Sequence, residues 1–225
     1  MTATFLLEIG TEELPADFVK QALEQLQQRV SRDLREARLG HGEVSVFGTP
    51  RRLVVKVAEL EDRQPDLQED RKGPPVAQAF KDSIPGPAAI GFAKRCGVDP
   101  SALEQRETPK GPCVFATVLT PGQASVDLLQ GLIPQWIDAL QGRRFMRWGM
   151  GAQRFSRPIR WLLVLKGSEV IPVVLDGADP EVRSDRYSRA HRLHGDQPLS
   201  IASAEVFGAT LAAAGVVVDR AERAK

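Results

Sequence analysis

Thr4-Phe5-Leu6-Leu7-Glu8-Ile9-Gly10-Thr11-Glu12-Glu13-Leu14-Pro15 sets the fold class of this chain. Residues 4–9 form a short apolar run with β-branched and aromatic members, closed by Gly10 and Thr11, which is how a buried strand ends. Glu12, Glu13 and Pro15 then announce a helix. Acidic side chains favour the positive end of the helix dipole, and proline is tolerated in the first turn, where its missing N–H has no partner to lose. Phe18, Ala22, Leu26, Val30 and Leu34 follow at helical spacing, so the helix runs to about Arg38 before Gly40 and Gly42 stop it. Residues 44–47 and 53–60 read as two strands, turned by Gly48, Thr49 and Pro50.

The same order returns further along. Residues 113–119 read as a strand, residues 125–140 as an amphipathic helix through Leu128, Leu129, Leu132, Trp136 and Leu140, and residues 159–165 and 170–175 as paired strands around Gly167. Phe47-Gly-Thr-Pro50-Arg-Arg52-Leu-Val-Val lines up with Phe155-Ser-Arg-Pro158-Ile-Arg160-Trp-Leu-Leu, which hints at a duplication that would make Arg52 and Arg160 equivalent. Between the two lies a stretch of charged residues, prolines and glycines over residues 61–110, with short helices at 76–82 and 88–96, the second closed by Gly97.

The expected fold is therefore α+β, with antiparallel sheets and packed helices built as two related strand-helix-strand-strand modules. Residues 1–62 form the first α/β module, 63–112 a Pro/Gly-rich connection with short helices, and 113–178 the second module. Residues 179–225 form a polar loop, an Ala-rich helix over 200–214 closed by Gly215, and the start of a charged helix.

With 225 residues, 42% hydrophobic and 26% charged, the chain has room for one large domain or two small ones. The longest apolar run, residues 161–165, is far short of the ~20 residues that a bilayer requires. A secretory leader is also missing from the N-terminus, so the expected location is cytoplasmic, with no membrane partner. Cys96 and Cys113 have no other thiol or paired histidine beside them, which fits packed thiols in a reducing compartment.

Charge is sorted along the sequence. The whole chain balances 30 Lys+Arg against 29 Asp+Glu, yet residues 139–168 hold no acid at all. They carry Arg143, Arg144, Arg147, Arg154, Arg157, Arg160 and Lys166, interleaved with Phe145, Trp148, Phe155 and Trp161. Guanidinium forks match phosphate oxygens and flat rings stack on bases, so the mixture reads first as a surface for nucleic acid or another phosphate ligand. An interface with a partner protein, or arginines paired with acids elsewhere, remain the other readings. A second basic site follows at Arg189, His191 and Arg192.

Other chemistries lack their residues. His191 and His194 could share a metal only on a helix, which Gly195 and Pro198 oppose, and no third ligand stands near. No Gly-x-Ser-x-Gly elbow occurs, and Gly149, Met150 and Gly151 lack both the P-loop Lys-Ser/Thr and the three-glycine dinucleotide fingerprint. Glu8, Glu12 and Glu13 could hold a divalent cation or a partner's arginine, but helix-end electrostatics already account for two of the three.

Phe5-Leu-Leu-Glu-Ile-Gly-Thr-Glu-Glu-Leu-Pro15, Thr49-Pro-Arg-Arg-Leu53, Lys72-Gly-Pro-Pro75 with Ala79-Phe80, Gly91-Phe-Ala93 with Cys96-Gly97, and Met146-Arg-Trp-Gly149 with Phe155-Ser-Arg-Pro-Ile-Arg-Trp161 occur here in one order. This ordered set resembles the bacterial glycyl-tRNA synthetase β subunit over nearly the whole chain. The resemblance implies an enzyme of two α and two β subunits, in which α holds the class II core that activates glycine with ATP and Mg, and β is required for charging tRNA. It implies no cofactor for this chain itself, and as partners the α subunit, tRNA(Gly) and the remainder of a longer β subunit. The family's later parts, a phosphohydrolase-like helical region and an anticodon-binding domain, are not found here, so the chain reads as an N-terminal portion that carries no catalytic residue. The family's Arg-Gly-His-Arg-Phe stretch appears as Arg189-Ala-His-Arg-Leu193, with Ala and Leu in place of Gly and Phe. Backbone contacts to tRNA are expected from Arg147, Arg154, Arg157 and Arg160, with Trp148 as a stacking platform. Assembly on α without RNA contact is the alternative, and an editing-like role has no nucleophile or base to support it.

Overall fold

The computed structural model describes residues 1–81, 84–191, 193, 195 and 197–223, apart from the side chain of Arg220. In chain order the elements begin with β1 (Thr2–Thr11), α1 (Ala16–Glu36), β2 (Val44–Thr49) and β3 (Arg52–Glu61). Next come β4 (Leu67–Pro75), α2 (Val76–Ala79), β5 (Phe80–Lys81), β6 (Ile84–Pro85), α3 (Pro87–Cys96), β7 (Glu104–Arg106) and β8 (Cys113–Thr120). The chain continues through α4 (Ser125–Asp138), β9 (Met146–Arg147), β10 (Arg154–Phe155), β11 (Ile159–Lys166), β12 (Glu169–Val170), β13 (Val174–Leu175) and β14 (Val182–Asp185). It ends with β15 (Tyr187–Arg189), β16 (Pro198–Ser200), α5 (Phe207–Ala213) and α6 (Arg220–Arg223). The α+β class with mostly antiparallel sheets and packed helices is as expected, and the chain divides into two units, Met1–Gln64 with Gln123–Lys225, and Pro65–Gly122.

The larger unit is built on a sheet of order β13-β14-β11-β1-β3-β2, with β12 also on β11. Central β1 is buried from Phe5 to Thr11 because both of its faces are covered. On one face Phe5, Leu7 and Ile9 join Leu53, Val55, Leu162 and Val164 beneath the apolar stripe of α1, with Ile133 and Trp136 of α4. On the other, Leu6, Val54, Leu163 and Leu165 pack with Ile201, Ala204, Phe207 and Leu211. The stripe Phe18, Ala22, Leu26, Val30 and Leu34 is buried as its spacing predicts. The helix stops at Glu36, two residues early, because Arg38 turns left-handed at φ 52° and the Leu39 N–H closes back on the Leu34 carbonyl at 3.0 Å.

The expected second module does not assemble as a unit of its own. Its opening strand, β8, pairs with β4 and β7 in the smaller unit, while β11 joins the first sheet and α4 packs in the core beneath it. Sequence order had concealed β4, whose residues are mostly exposed and carry no alternating apolar signal; its backbone is held by β8 over seven residue pairs. The apolar face of that three-stranded sheet, Val114 and Ala116, packs on Ala79, Ala89, Phe92 and Cys96 from α2 and α3. The opposite face carries Arg106 between Asp70 and Glu104.

Three boundaries also differ. The helix expected over 76–82 is only α2, followed by the short β5–β6 pair, and residue 82 lies outside the described residues. The strand expected over 170–175 splits, with β12 on β11 across the Gly167 turn and β13 on β14. The helix expected over 200–214 shrinks to α5, because Ile201 N–H is bound to the Arg186 carbonyl and Ala204 N–H to the Gly167 carbonyl.

Candidate nucleic-acid interface

The basic residues separate into two environments. The first is the end of the main sheet, where β3 and β11 flank β1 and Gly10 pairs with Arg52 on one side and Trp161 on the other. The duplication hint had aligned Arg52 with Arg160. The register shift between Gly10 and Thr11 pairs Gly10 with Trp161 and Thr11 with Ile159, so Arg160 is the extra residue of a bulge and is exposed. A Cβ on Gly10 would stand 1.8 Å from the Trp161 ring, so only glycine lets the indole lie across the strand. The guanidinium groups of Arg51 and Arg52 sit 5.9 and 5.7 Å from that ring.

Beneath them lies Glu8, fully buried. Arg52 reaches Glu8 at 3.2 Å and donates to the Arg189 carbonyl at 2.9 Å, and the Ser188 hydroxyl donates to Glu8 Oε1 at 2.9 Å. Burial pushes the Glu8 carboxyl up from its ordinary value, and Arg52, Ser188 and the Trp161 indole pull it back in that order. The indole N–H faces the carboxylate without hydrogen-bond geometry: among the described residues, Glu8 Oε2 and Trp161 Nε1 have no such partner. This arrangement ties β15 to the sheet and is a structural ion pair. Two of the three acids suspected of binding a cation are thereby explained by arginines, since Glu12 holds Arg160 at 2.8 Å. Lys166 is internal too, donating to Asp62 at 2.6 Å, Ser125 at 2.8 Å and the Glu61 carbonyl at 3.1 Å.

The second environment is the ribbon formed by β9 and β10. Arg147 and Arg154 are direct cross-strand partners and both are exposed. Like charges opposite one another destabilise a strand pair, and neither arginine has an ion-pair partner among the described residues. Arg154 donates only to the Phe145 carbonyl at 3.4 Å, and half-buried Arg157 to the Ser156 carbonyl at 3.0 Å. Trp148 is pinned by its indole N–H to the Phe155 carbonyl at 3.1 Å. Phe145 and Phe155 root the ribbon by packing on Phe18 of α1. The turn between the strands is held by Asp179, which accepts from the Met150 N–H, and by the Gln153 N–H on the Gly177 carbonyl at 2.8 Å. A cleft of about 770 Å³ opens beside the ribbon between Arg154, Asp138 and Asp176.

The structure therefore brings Arg147, Trp148, Arg154 and Arg157 onto one locally braced segment and ties Arg160 to Glu12. Of the secondary basic site, Arg189 and His191 are described. The Arg189 carbonyl serves Arg52, the His191 ring accepts the Leu193 N–H at 3.3 Å, and Arg192 lies outside the described residues, as does His194. Among the described residues no three His, Cys, Asp or Glu side chains are gathered as for a metal ion, and no helix is long and apolar enough to cross a membrane. The Glu8–Arg52–Ser188 cluster was missed at the sequence level, although a glutamate inside a run destined for burial on both faces signals a buried partner.

Sequence comparison places this α+β chain in the class of aminoacyl-tRNA synthetase proteins. Residues 5–225 match the family model described as Glycyl-tRNA synthetase beta subunit, and the chain belongs to that family. The glycine–tRNA ligase beta subunit of Synechocystis sp. is 49% identical over 220 residues, 98% of this chain and 30% of the relative. That of Acaryochloris marina is 45% identical over 98% of this chain and 31% of the relative, and that of Moorella thermoacetica 40% identical over 99% and 32%. The chain thus spans about three tenths of the length of the curated relatives it matches.

Proposed function

We propose that this chain is the N-terminal part of a glycine–tRNA ligase β subunit and helps to hold tRNA(Gly) while the α subunit performs aminoacylation with ATP and Mg. Its own share is phosphate contact by Arg147, Arg154 and Arg157, with the Trp148 ring, its N–H already engaged, left for stacking. Arg160 joins only by exchanging Glu12 for phosphate. The observation that carries this reading is the direct pairing of Arg147 with Arg154 on an exposed ribbon, since a bound phosphate relieves the repulsion that the free ribbon bears. No catalytic role falls to these residues, and the chain alone is expected to transfer no glycine.

Binding of tRNA to the intact protein, measured across salt, tests this. Replacing Arg147 and Arg154 by Ala removes two phosphate contacts, so the slope of log affinity against log salt should flatten by about 1.4 to 1.8. An unchanged slope and affinity rejects the ribbon as an RNA contact. The second reading is a protein interface with α, favoured by Met146 and Met150, which are 55% and 95% exposed on and beside the ribbon. Sedimentation of the protein with isolated α, before and after Met146→Ser with Met150→Ser, separates the two.

A further inference from the structure

Two of the ordered motifs, Lys72-Gly-Pro-Pro75 and Gly91-Phe-Ala93, lie in the smaller unit and have no part in the reading above. There they line one cleft of about 960 Å³ between β4 and α3. Ala88, Gly91 and Arg95 recur at helical spacing, so they form one stripe along α3 next to Phe92. Arg71 and Gly73 share one face of β4. The Phe92 ring occupies the space of a Gly73 side chain, where a Cβ would stand 2.6 Å from it, and so closes the floor. Nothing lies within 4 Å of where a Gly91 Cβ would stand. Gly73, Ala88 and Gly91 thus leave part of the wall bare, and the charged residues lining the cleft are Arg71, Lys72 and Arg95, with no acid among them.

Four acids of this unit are engaged elsewhere. Asp70 and Glu104 hold Arg106, Asp99 accepts from Ser101, and Asp66 accepts the Gly122 N–H. Glu69 reaches Arg71 only at 3.9 Å with both side chains half exposed, a pair that contributes little in water. Pro87 opens α3 at the cleft, with no side chain capping that end, so the positive end of a ten-residue helix adds to the field of the three cations.

We propose that this cleft is a second anion site, taking a phosphodiester of RNA between Arg71 and Arg95. Guanidinium forks suit phosphate oxygens, the open wall at Gly91 admits a sugar-phosphate backbone, and the volume far exceeds what one inorganic phosphate fills. That the phosphate belongs to RNA rests on the function proposed above; the anion site itself does not.

The test is tRNA binding to the intact protein across salt, with Arg71→Ala plus Arg95→Ala run beside the Arg147→Ala plus Arg154→Ala ribbon variant. Loss of affinity and a slope flattened by about 1.4 to 1.8, adding to the effect of the ribbon variant, supports the site. Gly91→Asp sets a carboxylate into open space and should weaken tRNA binding without unfolding the unit, which covers the case of an unstable double variant. Unchanged affinity and slope in both cleft variants overturns the proposal, and a ribbon effect in the same experiment leaves the ribbon reading standing. If calorimetry shows inorganic phosphate or AMP binding that the Arg71/Arg95 variant abolishes while tRNA binding is unaltered, the RNA assignment is overturned.

Discussion

Arg52 and Arg147 belong to the same residue type and to motifs of the same family, yet the fold treats them in opposite ways. Arg52 enters the sheet opposite Gly10, loses water, and is held by Glu8, a backbone carbonyl and an indole face. Arg147 sits on a two-residue strand opposite another arginine, stays in water, and meets no acid among the described residues. The difference teaches that a run of cations does not by itself make a binding surface. What decides is whether sheet register delivers each residue to a carboxylate of the same chain. By that measure Arg52, Lys166 and Arg160 are spent, and Arg147 and Arg154 are available.

The strongest way to break this contrast is Arg52→Ala, which leaves the Glu8 carboxylate buried and unpaired and should cost about 3–5 kcal/mol in chemical denaturation. Replacing Glu8 and Arg52 together by Met should recover a large share, because the cost lies in the orphaned charge. Gly10→Ala comes next. Its methyl collides with the Trp161 ring and should cost about 1–3 kcal/mol, and combined with Trp161→Ala the loss should fall short of the sum of the singles, since the two share one space.

A smaller effect appears in acid. The hydrogen bond from Lys166 holds the Asp62 carboxyl below the usual aspartate range. Stability from a depressed carboxyl is present above its unfolded value and is lost as pH falls through the lower folded value. Nuclear magnetic resonance titration should place Asp62 below a free aspartate, and Lys166→Met should return it upward. Glu8 has the opposite sign: its raised value makes its contribution complete at low pH and lost as pH rises through that value. The smallest change is expected for Arg147→Ala with Arg154→Ala, within about 0.5 kcal/mol of the parent in thermal melts. A large destabilisation there would mean that the ribbon arginines are structural after all.

Much of the main sheet was legible because burial on both faces leaves a strong apolar signal, as in residues 5–9, and because the α1 stripe repeats at helical spacing. β4 was not, because its pairing lies in backbone hydrogen bonds to β8 and its exposed side chains record nothing of them. The Phe47 and Phe155 echo was read correctly as two strand entrances, while the bulge at Arg160 moved the true counterpart of Arg52 to Trp161, a shift of one residue that no alignment of side-chain types reveals. The acid-free stretch was visible as a whole. Its division into spent and available cations was not, since Glu12 and Asp62 lie far away in sequence from Arg160 and Lys166.

Arginine reactivity read residue by residue tests that division most directly. The intact protein is treated with phenylglyoxal, with and without tRNA, and each arginine is followed by mass spectrometry. Arg52 should stay unreactive in both states, while Arg147 and Arg154 should react freely alone and be protected once tRNA is bound. Equal reactivity of Arg147 and Arg154 with and without tRNA, under conditions where tRNA is bound, would contradict the account.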